Sequence, residues 1–406
     1  MDLIIAEMIS TATIAIAVFG IVFCLMQAEF TRVSRSFAAF LAAVAVNNLP
    51  GVLNRLFQST QNMHLQPADL ILWLSSSLCL APLFWIYVVT LTSSAQKGPA
   101  HLYRHFVLPA LAVLVGLVMI LSPQGLWAEV ITEDILQTYG WWSGLIVAAA
   151  LLELAVYPQM AIYLFLIIRR MMRYRLLLRD VYASTEEHEM RWIYVIGGLG
   201  ALFWVAQALI LLIAFDLEQP RTPPAVVTIA GLAGLGLVAT MTLWGLRQRP
   251  PLVPDPDDRH PPENAEDQTG EKYEKSALST EASTRIARKL RAAMEKDHLH
   301  RDPNLSLWVL ARHIGASPNY ISQTLNEVVG ENFFDFVNGY RIAEAKARLA
   351  TTDDSVLTIT YDVGFNARSS FYNAFKRVTG ETPTRYRKTL SHRDGMDDVR
   401  DGLRDF

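Results

Sequence analysis

Ser355–Gly380 reads SVLTITYDVGFNARSSFYNAFKRVTG. Ser355 can cap a short helix, Val356–Val363, whose apolar side is Val356, Ile359 and Val363, and Gly364 supplies the left-handed turn that ends it. Asn366 is a suitable cap for a second helix, in which Phe371, Phe375 and Val378 recur at spacings of four and three and are expected to face the first helix. Arg368, Ser369, Tyr372, Asn373 and Lys376 are then left on the outer side. Side chains of this kind on the second helix of a helix-turn-helix are what the edges of bases in a major groove require.

The same grammar occurs once before. Ser306 caps a helix carrying Leu307, Leu310, Ala311 and Ile314, and Gly315 stops it. Ser317-Pro318 is a cap followed by proline at the first helical position. Ile321, Leu325 and Val328 are expected inside, with Asn319, Tyr320, Ser322, Gln323 and Asn326 outside. Between the repeats, Phe333–Ala350 carries Phe336, Val337, Tyr340, Ala345 and Leu349 at helical intervals. At 1.5 Å per residue such a strut is roughly 27 Å long, against a major-groove repeat of about 34 Å. Both second helices could therefore reach one side of a duplex. The expected fold class is all-α.

Here several motifs agree in order and spacing. RIAEAKARL (Arg341–Leu349), GFNARSSFYNAFK (Gly364–Lys376) and GETPTRYR (Gly380–Arg387) resemble the DNA-binding domain of the AraC/XylS transcription regulators. The resemblance covers roughly Thr284–Lys388. It implies a seven-helix domain with two recognition helices, Ser317–Val329 and Arg368–Thr379. Its base-reading positions fall on Asn319, Ser322 and Gln323, and on Arg368, Ser369, Tyr372 and Asn373. Two departures stand out: Thr360 occupies a helix–helix contact where the family usually has alanine, and no soluble sugar-binding barrel is legible upstream.

Charge agrees with this reading by its placement. The whole chain carries a formal charge of −3, but Ser276–Leu390 holds 16 Lys and Arg against 12 Asp and Glu. The linker and the tail after Ser391 hold the balancing acids.

Upstream the composition changes. Seven apolar stretches are long enough to cross about 30 Å of hydrocarbon: Leu3–Met26, Ser36–Phe57, Ala68–Thr92, Phe106–Leu121, Gly144–Ile168, Trp192–Phe215 and Ala225–Leu246. Arg32 and Arg35, Lys97 and Arg104, six arginines between Arg169 and Arg191, and Arg247 with Arg249 fall in alternate loops and after the last span, whereas the other loops hold only Arg221. By the positive-inside rule the N-terminus lies outside and the C-terminus inside, in a bacterial inner membrane. The start, Met1-Asp2-Leu3, lacks the basic segment of a cleavable signal, so the first stretch reads as a retained span. Cys24 and Cys79 sit at or in spans, and no disulfide framework is expected.

The organisation expected is thus a seven-span bundle over residues 1–248, a disordered Pro- and acid-rich linker over 249–279, a cytoplasmic double helix-turn-helix domain over 280–390 and an acidic tail over 391–406. Within the bundle, Glu153 and Pro158 of the fifth span are the candidate sensing residues, because a carboxyl in hydrocarbon needs a reason and a proline loosens its helix. Gln207 and Asn47 are candidate partners for Glu153. The spans contain no lysine and no histidine, which excludes a retinal Schiff base and histidine-ligated haem; no His-Glu-x-x-His occurs anywhere in the chain. No cofactor, metal or catalytic residue is expected, and the chain reads as a non-enzyme.

The function class that follows is a membrane-embedded transcription regulator, activator or repressor, that couples a membrane or extracytoplasmic signal to gene expression. The alternatives are a transporter or membrane enzyme with a regulatory DNA-binding tail, and a bundle that only anchors. The partners called for are double-stranded DNA, membrane lipid, RNA polymerase, a signal ligand and a second copy of the chain.

Overall fold

A computed structural model describes residues 2–27, 30–59, 66–93, 101–121, 140–186, 188–216, 224–247, 250–252 and 280–390. Nearly all of the linker and the whole tail named above lie outside these residues. The chain divides into two compact units: Met1–Met172 with Met190–Val253, and Arg173–Glu189 with Pro254–Phe406. Among the described residues the architecture is all-α, and the extended pairing is one antiparallel bridge between Tyr182 and Ser306.

The first unit is built from α1 (Asp2–Met26), α2 (Thr31–Ser59), α3 (Gln66–Leu91), a 3₁₀ turn (Leu102–Phe106) leading into α4 (Val107–Ile120), α5 (Gly140–Arg179) as far as Met172, α6 (Arg191–Asp216) and α7 (Pro224–Arg247). Among the described residues, seven helices are long and apolar enough to cross a membrane, one for each stretch expected from the sequence. The fifth extends furthest, as a single 40-residue helix that carries on into the arginine-rich segment. α1 packs on α2 and α7, α2 on α3, α3 on α4, and α6 on α7. Small residues bring these helices close. A Cβ on Gly245 would stand 2.4 Å from the Phe37 ring, and one on Gly20 would stand 2.6 Å from Leu41. The ring of Phe37 packs tilted against the fully buried Tyr87, with centroids 4.6 Å apart. Large apolar side chains also cover the outside, among them Phe19, Leu154, Phe165 and Leu202. That distribution suits helices whose surroundings are themselves apolar.

The second unit contains α8 (Thr280–Glu295), α9 (Leu307–Ile314), α10 (Pro318–Thr324) with a π turn (Leu325–Val329), α11 (Phe333–Thr351), α12 (Val356–Asp362), α13 (Arg368–Thr379) and α14 over residues 383–390. These are the seven helices implied by the resemblance. α8 buries Ile286, Leu290 and Met294 on one side. α11, capped by Asn332, belongs to two cores. Phe333, Phe336 and Val337 join the core of the first repeat, whereas Ile342, Ala345 and Leu349 join that of the second. The strut thus forms part of both repeats.

Candidate nucleic-acid interface

Each repeat starts from the cap that its sequence predicts. Ser306 Oγ accepts from Val309 N, Ser317 Oγ from Tyr320 N, and Ser355 Oγ from Thr358 N at 3.0 Å. Gly315 and Gly364 take the left-handed conformations, φ 63° and 98°, that end the first helix of each pair. Ile321 and Leu325 are buried beneath α10, and Phe371 and Phe375 beneath α13.

The outward sides are polar. On α10 and its π turn, Asn319, Tyr320 and Asn326 are exposed, and Ser322 and Gln323 are half-exposed. Gln323 Nε2 donates to Glu327 Oε2 at 3.0 Å, so its amide is already oriented. On α13, Arg368, Ser369, Asn373 and Lys376 are exposed and Tyr372 is half-buried. The Arg368 guanidinium lies 5.0 Å above the Tyr372 ring. The Tyr372 hydroxyl meets Thr384 Oγ1 at 3.4 Å, and this hydrogen bond, aided by Arg368, holds the phenol below its usual range although burial opposes it. Each pair of helices therefore carries its expected polar set on one outward side.

Three local expectations are corrected. Val328 is 47% exposed rather than inside, because the chain leaves α10 through the wider π turn, which turns Val328 out while Val329 packs on the core. Val378 is likewise exposed, and the core at that end of α13 is filled by Phe375 against Tyr386, 5.4 Å apart. Asn366 does not cap α13. The cap position is Ala367, and Asn366 instead donates to the carbonyl of Pro303. Thr360, the departure at a helix contact, is fully buried with its hydroxyl bonded back to Val356 O at 2.7 Å, so it costs no unpaired polar group.

The residue that sequence reasoning passed over is Arg341. It sits four residues after Val337 and four before Ala345, on the apolar stripe of α11, and a charge at that register was the available signal. It is wholly buried. Nε donates to His300 O at 2.7 Å and Nη2 to Asp302 O at 2.8 Å. Nη1 faces Ser184 Oγ at 3.0 Å, Ala183 O at 3.3 Å and Asn338 Oδ1 at 3.3 Å. Its guanidinium also lies 5.3 Å from the Phe365 ring. Burial lowers its pKa to about 10. Beside it, Glu344 bonds His300 Nε2 at 2.7 Å and Arg301 at 3.0 Å.

In the first unit, a cavity of about 730 Å³ opens among α1, α2, α3, α5, α6 and α7, mostly apolar, with Ser10, Asn47, Ser77, Tyr157 and Gln207 on its walls. Glu153 is half-buried on α5 and Pro158 is exposed, both outside this lining. Asn47 is not aimed at Glu153, because its amide nitrogen donates to Trp73 O, Ser76 Oγ and Ser77 Oγ of α3.

Residues 310–389 match the family model described as a helix-turn-helix domain, so the C-terminal unit is a helix-turn-helix domain of the AraC type. An uncharacterized HTH-type transcriptional regulator of Staphylococcus aureus (strain COL) is 38% identical over 90 residues, 22% of this chain and 12% of that protein. Another, YtdP of Bacillus subtilis (strain 168), is 33% identical over 91 residues, with the same two shares. The chain thus spans 12% of the length of these relatives. Among solved structures, the C-terminal domain of AraT, a response regulator from Geobacillus stearothermophilus, is 25% identical with a TM-score of 0.24, covering 28% of this chain and 88% of that one. A Listeria innocua protein is 32% identical with a TM-score of 0.24, covering 26% and 96%.

Proposed function

We propose that the chain is a membrane-embedded, sequence-specific DNA-binding transcription regulator. The observation that carries this reading is the pair of capped helix-turn-helix units, each with a polar outward side, in one chain with seven helices apolar enough to span a bilayer. Arg368, Ser369, Tyr372 and Asn373 would read one major-groove segment, and Asn319, Tyr320, Ser322, Gln323 and Asn326 the next, with Lys376 on phosphate. The one-sided distribution of basic loop residues supports an N-terminus outside and a cytoplasmic DNA-binding domain.

The bundle would serve as the receiver, with its signal a small lipophilic molecule in the apolar cavity. Glu153 and Pro158 on the long α5 would take part in the response. Seven helices exceed what an anchor needs, and the cavity gives them a use.

The test is a footprint of the full chain in lipid nanodiscs on DNA selected from random sequence. Two adjacent protected segments are expected. Gln323→Ala and Arg368→Ala should each relax base preference by about 1–3 kcal/mol, whereas Lys376→Ala should weaken all sequences alike. A double Gln323/Arg368 variant with the wild-type footprint would overturn the assignment of the reading helices.

A further inference from the structure

The segment between α5 and α6 does not behave as a simple loop. Residues 173–189 belong to the helix-turn-helix unit. Tyr182 pairs with Ser306 in an antiparallel bridge closed on either side by Ala183 N to Leu305 O at 3.1 Å and Leu307 N to Val181 O at 2.7 Å. Ala183 is a member of the first repeat's hydrophobic core, and Ser184 and Thr185 are buried as well. The carbonyl of Ala183 accepts from Asn338 Nδ2 at 3.1 Å and from Arg341. Outside the bridge, Tyr182 stacks on His188 at 3.8 Å and meets Trp308 edge-on at 5.8 Å. Arg179 lies 5.3 Å over the Phe334 ring.

These contacts converge on the joint between the two repeats. Arg341 binds the carbonyl of His300 and lies against Phe365 of the second repeat, while its Nη1 depends on Ala183 and Ser184. A buried guanidinium without those two oxygens keeps only Asn338 Oδ1 for that nitrogen, which is costly in a low-dielectric interior. The segment therefore completes the interior of a domain that follows it by about ninety residues in sequence. It is also the direct continuation of α5, which runs unbroken from Gly140 to Arg179.

We propose that residues 181–185 are an intramolecular clamp that fixes the two repeats in their DNA-competent arrangement. Its release, driven through α5, is how the bundle controls the domain. The proposal rests on the reading of the domain as a DNA binder. The sign follows from the geometry: the clamp grips α9, α11 and the turn before α9, and leaves Asn319, Asn326, Arg368, Asn373 and Lys376 exposed. Docking thus orders the joint without covering the reading sides.

Tyr182 and Ser306 form the non-hydrogen-bonded pair of the bridge, where side chains are closest and a disulfide fits. The test uses full-length chain in nanodiscs with Cys24→Ser, Cys79→Ser, Tyr182→Cys and Ser306→Cys, and DNA selected with the wild-type chain. A crosslink should form on mild oxidation. The oxidised protein should bind DNA at least as tightly as the same protein reduced. Ala183→Pro, which removes the donor to Leu305, should weaken binding by about tenfold or more and abolish hydrogen-exchange protection of the Leu307 amide. Failure to crosslink, weaker binding when oxidised, or wild-type affinity in Ala183→Pro would each overturn the clamp. If Ala183→Pro abolishes binding altogether, the oxidised-against-reduced comparison decides. Crosslinking and exchange are read without DNA, so a clamp that forms in a chain binding no DNA would sink the functional reading and not the docking.

Discussion

The backbone of Gly364 lies against that of His300 so closely that a Cβ on the glycine would stand 2.5 Å from the His300 carbonyl oxygen. The same oxygen accepts the Nε proton of Arg341. One backbone group of the turn before the first repeat thus meets the central turn of the second repeat and the buried cation of the strut. The two helix-turn-helix units are locked to each other at this point.

Gly364→Ala should therefore cost more than a left-handed alanine alone. Gly315 also has positive φ but nothing within 4 Å of a Cβ, so Gly315→Ala isolates the backbone penalty of about 1 kcal/mol. Gly364→Ala adds a clash with backbone, and a total of about 2–4 kcal/mol is expected. Hydrogen exchange of the α12 and α13 amides in the two variants measures the difference. Equal effects would mean that the His300 contact yields freely.

Arg341→Lys should destabilise the helix-turn-helix unit by about 2–4 kcal/mol, because an ammonium cannot span carbonyls lying on different sides of the guanidinium fork. Arg341→Met keeps the packing but leaves the His300 carbonyl unpaired and the Asp302 carbonyl with only the 3.3 Å bond from Leu305 N, and should be no better than lysine. Pulse proteolysis in urea would report both, and a methionine variant as stable as wild type would show that those carbonyls find water.

Glu344 gives the unit an acid limb. Burial pushes its carboxyl up, but hydrogen bonds from Arg301 and His300 outweigh this and hold it below its ordinary value of 4.5. Its folded pKa is therefore the lower one, so the stabilisation is complete above the unfolded value and is lost as pH falls through the folded one. Glu344→Gln should remove that part of the decline as pH falls below the ordinary carboxylate value, visible as a flatter plot of melting temperature against pH. A variant with the wild-type slope would assign the acid limb to other carboxylates.

Glu153→Gln should leave the protein inserted and hold its output in one state, since a carboxyl within hydrocarbon is costly as an ion and the amide mimics its neutral form. Glu153→Ala, which removes the carboxyl altogether, should lower abundance. Reporter output per unit of protein, compared across growth conditions that change wild-type output, checks both. Wild-type responses from both variants would move the receiver to the cavity walls.

The local features of the domain were legible in the sequence. Ser306, Ser317 and Ser355 cap, Gly315 and Gly364 turn, and Ile321, Leu325, Phe371 and Phe375 point inward, because each is decided within one or two helical turns by spacing and by backbone hydrogen bonds. The same holds for the seven long apolar helices, where length and composition suffice. Only tertiary structure could decide what depends on partners elsewhere in the chain. Val328 faces out because a π turn, invisible to a period of 3.6, rotates it. Asn366 gives its amide to Pro303, 63 residues away, instead of capping. Arg341 is buried because three backbone carbonyls from two segments converge on it, one of them 158 residues upstream at Ala183. Periodicity specifies which face of a helix is buried; it carries no information on which distant backbone supplies the oxygens that make burial of a charge tolerable.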